Sequence, residues 1–286
     1  MARGPAGRVA HTGPAHKACA KSHALCAAGG VAIRAERART LGSYHGGVLD
    51  SRAEFQRARR PGEIEARRSA ILDAARGMLL DRPLSDISLR ELAAEVGLAK
   101  SNVLRYFESR EAIFLELLDA AWQSWLEGLG TRLRDPLPTD GTPFAREWAV
   151  AAEVADSLVA RPMLCELLSA MAAVLERNIS LEFTREFKRK ATANNDRLAS
   201  LVAGQLPHLP RATVLRFAST VLVMVAGMWP FANPTENVDV VSREMGFPPA
   251  KEKFAVGLRE GLATQLIGLA AQTETVRAPQ VPPPTR

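Results

Sequence analysis

Residues 88–110 read SLRELAAEVGLAKSNVLRYFESR, and the order of cap, helix, glycine and second helix within them decides the fold. Ser88 is placed to accept a hydrogen bond from the Glu91 amide while the Glu91 carboxylate reaches back to the Ser88 amide, a capping box that opens a helix. Leu89, Leu92, Ala93 and Val96 then recur at helical spacing and make one apolar face, with Arg90, Glu91 and Glu95 turned away from it. Gly97 follows the last periodic residue, where the chain must enter the left-handed conformation that glycine adopts without steric cost. Beyond it Leu98, Val103, Tyr106 and Phe107 resume an apolar pattern, so Lys100, Ser101, Asn102, Leu104 and Arg105 are left to project from the opposite side. Two helices of about eight residues around a short turn, with small Ala93 at their crossing, fit a helix-turn-helix whose second helix enters the major groove of DNA. An ordinary helical corner in an all-α core has the same outline.

The stretch GLAKSNVLRYFESREAIF, residues 97–114, separates these two readings because it resembles the TetR family of bacterial repressors. The resemblance is carried by Gly97, Leu98, Ala99 and Lys100, by the Tyr106-Phe107 pair that ends the recognition helix, and by Ser109, Arg110, Glu111 and Ala112 opening a long helix. The upstream segment EARRSAILDAARGMLLDRPLSDIS is similar too. The resemblance implies that Lys100, Tyr106 and Arg110 position DNA phosphates. Ser101, Asn102, Val103, Leu104 and Arg105 depart from residues common in the family at this helix, so the operator is not inherited with the fold. Ser101, Asn102 and Arg105 are the candidates for base edges, since Arg pairs bidentately with guanine and Asn with adenine, and Leu104 suits a thymine methyl. Arg90, facing outward from the first helix of the turn, joins the set of DNA-contacting candidates.

The net charge of +6 on 286 residues invites a nucleic-acid reading, but its distribution is more informative than its total. Residues 1–60 hold 11 Lys and Arg against 3 Asp and Glu, residues 61–110 hold 8 against 8, and residues 111–286 hold 18 against 20. Basicity therefore lies in the N-terminal segment, and DNA binding by the helix-turn-helix depends on where Arg67, Arg68, Lys100, Arg105 and Arg110 are placed. Residues 1–60 lack sustained helical or strand periodicity, which predicts a disordered basic tail suited at most to extra phosphate or minor-groove contacts. His16, Cys19, His23 and Cys26 have spacings of metal-ligand type, but only three residues separate the two pairs and no apolar pattern flanks them, so no metal or cofactor is expected. Cys165 is the remaining cysteine, and three cysteines make no disulfide framework. The weakly signal-like run at 24–33 carries a glycine pair and follows 23 mixed residues, so a cytoplasmic protein is expected.

The rest of the chain predicts an all-α fold in two parts: a three-helix DNA-binding domain over 61–110 and a larger helical effector-binding and dimerisation domain over 111–272, with a C-terminal tail over 273–286. In the first part, Glu63 to Leu80 reads as a support helix burying Ile64, Ala70, Ile71, Ala74, Met78 and Leu79, stopped by Arg82-Pro83. A linking helix follows at 111–129, then apolar helices near 142–159, 161–177, 180–206, 210–228 and 251–271. Residues 217–229 are apolar nearly all round and demand burial on more than one side, yet with Arg216 and Pro230 as flanks the run is shorter than the roughly 20 residues of a membrane span. Phe254, Leu258, Leu262, Leu266 and Leu269 form a stripe on the last helix. These two helices are the expected homodimer interface, a four-helix bundle being the dimer mode the resemblance implies.

A small-molecule pocket is expected among Trp122, Trp125, Met163, Met171, Phe183 and Phe187, with Asn178 or Glu166 for polarity. Such a pocket would favour a lipophilic effector, and the family resemblance implies that its binding releases a repressor dimer from a palindromic double-stranded DNA operator. A constitutive or architectural DNA-binding dimer without an effector is the competing reading. Gly-rich phosphate loops, His-Glu-x-x-His and Gly-x-Ser-x-Gly are absent from the sequence, and no enzymatic role is expected.

Overall fold

A computed structural model describes residues 61–277, and the expectations placed on residues 1–60 and 278–286, including the His16, Cys19, His23 and Cys26 cluster, lie outside them. Among the described residues the regular elements are helical throughout. Helix α1, Pro61–Asp81, stops where Pro83 disfavours helical geometry at Arg82. A single 3-10 turn, Leu84–Asp86, leads to α2, Leu89–Glu95, and α3, Lys100–Val103. Their core is Ile71, Ala75, Leu79, Leu84, Ile87, Leu92, Ala93, Val103 and Phe107. Ile64 and Ala70, expected inside, face outward instead, and Ala75 takes the place beside Ile71. The apolar stripe of α1 is narrower than its composition suggested, because it packs chiefly against α2 and the long helix that follows the helix-turn-helix, over Arg110–Arg132.

Helix α4, Arg110–Arg132, is shared by both parts of the fold. Its N-cap, Ser109, accepts a hydrogen bond from the Ala112 amide at 3.0 Å. It buries Ile113, Phe114, Leu117, Leu118, Trp122 and Trp125, as its periodicity predicts, and runs to Arg132 through Gly128 and Gly130 rather than ending near residue 129. A glycine inside a helix costs about 1 kcal/mol relative to alanine, which tertiary packing of so many apolar side chains outweighs. The loop beyond α4 is fastened by Gln205, whose Nε2 donates to the carbonyls of Leu133 and Asp135 and whose Oε1 accepts from the Leu137 amide.

The C-terminal bundle comprises α5, Ala145–Val159, α6, Pro162–Ala170, α7, Leu181–Gln205, α8, Arg211–Ala232, α9, Glu236–Glu244, and α10, Ala250–Arg277. Two features depart from the sequence reading. The helix expected at 161–177 passes at Met171–Leu175 into a π turn, with Glu176 bonding back to the Met171 carbonyl, and bends away before Ser180. The segment between α8 and α10 holds the unanticipated α9, which buries none of its residues and therefore lacked a strong apolar signal. The last helix reaches Arg277 rather than ending near residue 271.

Helix α8 continues through Pro230, which was expected to end it. Its 22 residues, longer than the run read from the sequence, include an 18-residue window of mean hydropathy 1.6, which suffices by length and composition for a membrane span, as does the core helix of many a soluble protein. Its inner residues Val214, Phe217, Ala218, Val221 and Val225 are fully buried against neighbouring helices of the chain. Close approach of α8 and α10 depends on glycine: a Cβ at Gly257 would lie 2.9 Å from the Met228 methyl, and one at Gly261 would collide with Met224. The stripe Phe254, Leu258, Leu262, Leu266 and Leu269 is buried within the chain, so it builds the monomer core rather than an outer face. What α8 leaves outside is a different set, with Val223 70% and Phe231 80% exposed.

Candidate nucleic-acid interface

The helix-turn-helix closes as its sequence dictates. Glu91 donates its amide to Ser88 Oγ at 3.2 Å and accepts from the Ser88 amide through Oε2 at 2.9 Å, completing the capping box. The Ser88 hydroxyl also donates to Oε2 at 2.7 Å, and this bond, then that of the Ser88 amide and then Arg82 at 3.0 Å stabilise the carboxylate and lower the Glu91 pKa to about 2. At the other end of α2 the Leu98 amide bonds to the Ala93 carbonyl at 2.8 Å and the Gly97 amide to the Ala94 carbonyl at 3.0 Å. This is the paired pattern of a Schellman motif, and it places Gly97 at φ +66°.

From that turn α3 emerges with Val103 and Phe107 buried, which fixes its roll and turns the opposite side to solvent. Arg90, Lys100, Ser101, Asn102, Leu104 and Arg105 are all exposed there, with Leu104 at 41%. Helix α3 has only one regular turn before Leu104, Arg105 and Tyr106 continue as a hydrogen-bonded turn, so the reading segment is shorter than the eight residues anticipated. Tyr106 is half-buried.

Arg110 requires a correction. It was expected to position a phosphate, but its Nε donates to the Ile87 carbonyl at 2.5 Å and its Nη2 donates to the Leu84 carbonyl. Its guanidinium also lies 5.1 Å from the centre of the Phe114 ring. A guanidinium has five donors in a fixed fork; Nε and Nη2 are aimed inward at the turn preceding α2, and Nη1 pairs with Glu111 at 3.3 Å. Arg68 behaves likewise. Its Nη2 bonds both carboxylate oxygens of Glu116 at 2.6 Å, its Nη1 donates to the Tyr106 carbonyl, and its guanidinium carbon sits 4.2 Å from the Phe107 ring centre. Arg68 thus clamps the end of the reading segment to α4 instead of adding to a basic outer face.

Two acids complete the mounting, Glu108, which the sequence reading missed, and Glu166, whose role here it did not anticipate. Glu108 accepts from the amide and hydroxyl of Ser180 at 2.6 and 2.8 Å, placing a carboxylate at the N-terminus of α7, where the helix dipole favours it. Glu166, considered for a pocket, accepts instead from the Leu84 amide at 3.0 Å. No local pattern announces such long-range partners.

The expected pocket residues do not converge on one cavity. Phe183 and Phe187 line a cleft of about 200 Å³ with Arg68, Leu115, Glu116 and Lys190. Trp125 is buried with its indole N–H on Ser157 Oγ at 2.8 Å, and Met163 and Met171 are half-buried elsewhere. Asn178 is exposed in the bend before α7 and supplies no polarity to an internal site, a second correction. The bend that follows the π turn carries it outward. Trp122 differs from all of these: it is 1% exposed, and its indole N–H has no hydrogen-bond partner. An open cleft of about 660 Å³ lies elsewhere, between the loop before α5 and Ile267 of α10, beside Trp148.

A capped helix-turn-helix with an exposed polar and basic second helix, mounted on a helical bundle, defines a helix-turn-helix protein of nucleic-acid-binding type. The chain belongs to the TetR family: residues 71–117 match the family described as bacterial regulatory proteins, tetR family, and residues 119–273 match the tetracyclin repressor-like C-terminal domain. It is 38% identical over 92 residues to the HTH-type transcriptional regulator EthR of Mycobacterium tuberculosis, a match covering 32% of this chain and 43% of that protein. It is 27% identical over 85 residues to the HTH-type transcriptional repressor KstR2 of the same species, covering 30% and 40%. The matches thus span less than half the length of these curated relatives. Among solved structures, the fatty acid degradation regulator FadR from Bacillus halodurans superposes with a TM-score of 0.43 at 12% identity, covering 74% of this chain and 97% of that one.

Proposed function

We propose that the protein is a homodimeric DNA-binding transcription regulator, a cytoplasmic repressor released from a palindromic operator by a small lipophilic effector. The observation that carries this reading is the exposed row Lys100, Ser101, Asn102, Leu104 and Arg105 on a segment whose opposite side, Val103 and Phe107, is locked into the core. Lys100 supplies a phosphate contact, Asn102 and Arg105 supply bidentate donors for base edges, and Leu104 offers a methyl contact. The relatives' printed descriptions, a transcriptional regulator and a transcriptional repressor, support the same reading.

Dimerisation is supported by the exposed Val223 and Phe231 of α8 and by the exposed Val256 of α10, the helix packed against it. Two copies joined there by a two-fold axis present two reading segments to successive major grooves about 34 Å apart. The effector reading is supported by Trp122, since a buried indole N–H without a partner costs about 1–3 kcal/mol that a ligand's hydrogen-bond acceptor recovers. A constitutive dimer is favoured by a different observation: Trp125 is already bonded and fully packed, as an ordinary core residue would be.

Selection of bound sequences from random duplex DNA, followed by footprinting, tests the reading. The expected result is a palindrome protected over two half-sites one helical turn apart, or a multiple of it. Binding without sequence preference overturns sequence-specific regulation. Thermal-shift screening of lipophilic compounds, with DNA-release assays on the hits, separates the effector-controlled regulator from the constitutive one.

A further inference from the structure

Glu166 lies on α6 where three parts of the chain meet. Its Oε1 accepts from the Leu84 amide at 3.0 Å, and its Oε2 accepts from the Trp229 indole N–H at 2.8 Å. Leu84 belongs to the turn that joins α1 to the helix-turn-helix. Trp229 lies in the last turns of α8 and meets Phe254 of α10 edge-on, with ring centres 5.2 Å apart. One carboxylate therefore bonds both the DNA-binding module and the helix pair that carries the exposed Val223, Phe231 and Val256.

A second bond strengthens the same attachment. Pro230 has no amide hydrogen, so the carbonyl four residues before it, that of Ala226, lacks its helical donor. Ser169 Oγ supplies one at 3.2 Å. Ser169 is three residues after Glu166 and shares its side of α6, so α6 grips the end of α8 at two polar points along one face. Next to Glu166 the joint is not filled by side chains: a cleft of about 340 Å³ opens there, lined by Leu84, Ser85, Arg110, Glu166, Ser169 and Ala173. The Leu84 side chain is buried in the core, and on the open side hydrogen bonds hold the backbone of its turn. Its carbonyl is held by Arg110 from α4, and its amide by Glu166 from α6.

We infer that Glu166 is a positioning residue for DNA recognition, which ties the Leu84 turn to Trp229 so that movement at the end of α8 reaches the helix-turn-helix as a change in the Leu84 bond. The inference rests on the DNA-binding reading above. A carboxylate suits this role because it is acceptor-only and satisfies two N–H donors at once, whereas glutamine must present its own NH2 to one of them.

The test uses the full chain with Trp229→Phe, which keeps a ring against Phe254 and removes the indole N–H, and with Glu166→Gln. Three quantities are read: hydrogen exchange of the amides at 84–87, affinity for the selected operator, and mass in solution. Loss of one bond to a charged acceptor is expected to raise exchange at Leu84 and weaken operator affinity, each by about tenfold. Trp229→Phe should do this without touching Leu84 and without changing the mass, and the double variant should show less than the sum of the two single effects. Unchanged exchange at 84–87 in Trp229→Phe, or additive effects in the double variant, overturns the inference. If the wild-type chain selects no DNA, the DNA-binding reading fails, while the exchange arm still decides whether Glu166 links the two sites. If Glu166→Gln fails to fold, exchange in Trp229→Phe decides alone.

Discussion

Replacing Arg110 by methionine separates a structural guanidinium from a phosphate-binding one. Methionine keeps an apolar stem beside Phe114 but leaves the carbonyls of Leu84 and Ile87 without their charged donor. Hydrogen bonds to charged groups contribute about 1.5–3 kcal/mol each, and water recovers part of that loss, so the two together are expected to cost about 2–4 kcal/mol. Partial recovery is reasonable because the Arg110 side chain is 16% exposed. A loss of that size lowers the melting temperature of a folded region of this length by about 5–15 °C. The assay pairs thermal unfolding with DNA affinity measured across a salt series. Each phosphate neutralised contributes about 0.9 to the slope of log affinity against log salt, and residue 100 occurs twice in the proposed dimer, so Lys100→Ala should lower the slope by about 2 while Arg110→Met leaves it unchanged. An Arg110→Met protein with normal melting and a slope reduced by about 2 would refute the reasoning and return Arg110 to the DNA-contacting set.

Gly97→Ala should destabilise the fold by about 1–2 kcal/mol in urea unfolding, because a Cβ there meets no atom within 4 Å and the cost is that of the left-handed backbone alone; an unchanged midpoint would count against the turn geometry. With the proposed dimer joined through α8, Val223→Glu should leave a monomer by light scattering with little change in melting temperature, and a persistent dimer would place the interface elsewhere. The Glu91 carboxyl, depressed from 4.5 to about 2 by the Ser88 hydrogen bonds and then Arg82, should contribute its capping fully above pH 4.5 and lose it as pH falls through about 2. An NMR titration midpoint near 4.5 would show that the box is not formed. Burial pushes the Cys165 thiol up to about 12, so alkylation at pH 8 should label it only after unfolding, and mass spectrometry finding equal labelling in the native protein would contradict its burial.

Local rules carried the helix-turn-helix. Ser88, Glu91 and Gly97 act on partners within three to five residues, so cap, turn and roll of α3 were legible without tertiary information. The same holds for the buried face of α4, where periodicity alone identifies the inward residues, whereas α8, apolar nearly all round in sequence, gave no such sorting and leaves Val223 exposed. Periodicity misled only where the partner surface set the outcome. The stripe on α10 was correctly apolar, but whether it faced α5 and α8 or a second chain depended on what packed against it. The effector-site residues were chosen for size and apolarity, qualities that core packing requires equally, and Asn178 fell outside because the π turn redirected the chain.

The sequence by itself determined an all-α chain with a DNA-reading segment, because caps, glycine turns and apolar spacing are short-range properties of neighbouring residues. Only the tertiary structure decided the roles of Arg68, Arg110, Glu108 and Glu166. Each of these charges has its partner 23 to 82 residues away, and a long charged side chain reads the same in sequence whether it ends on a phosphate or on a backbone group of its own fold.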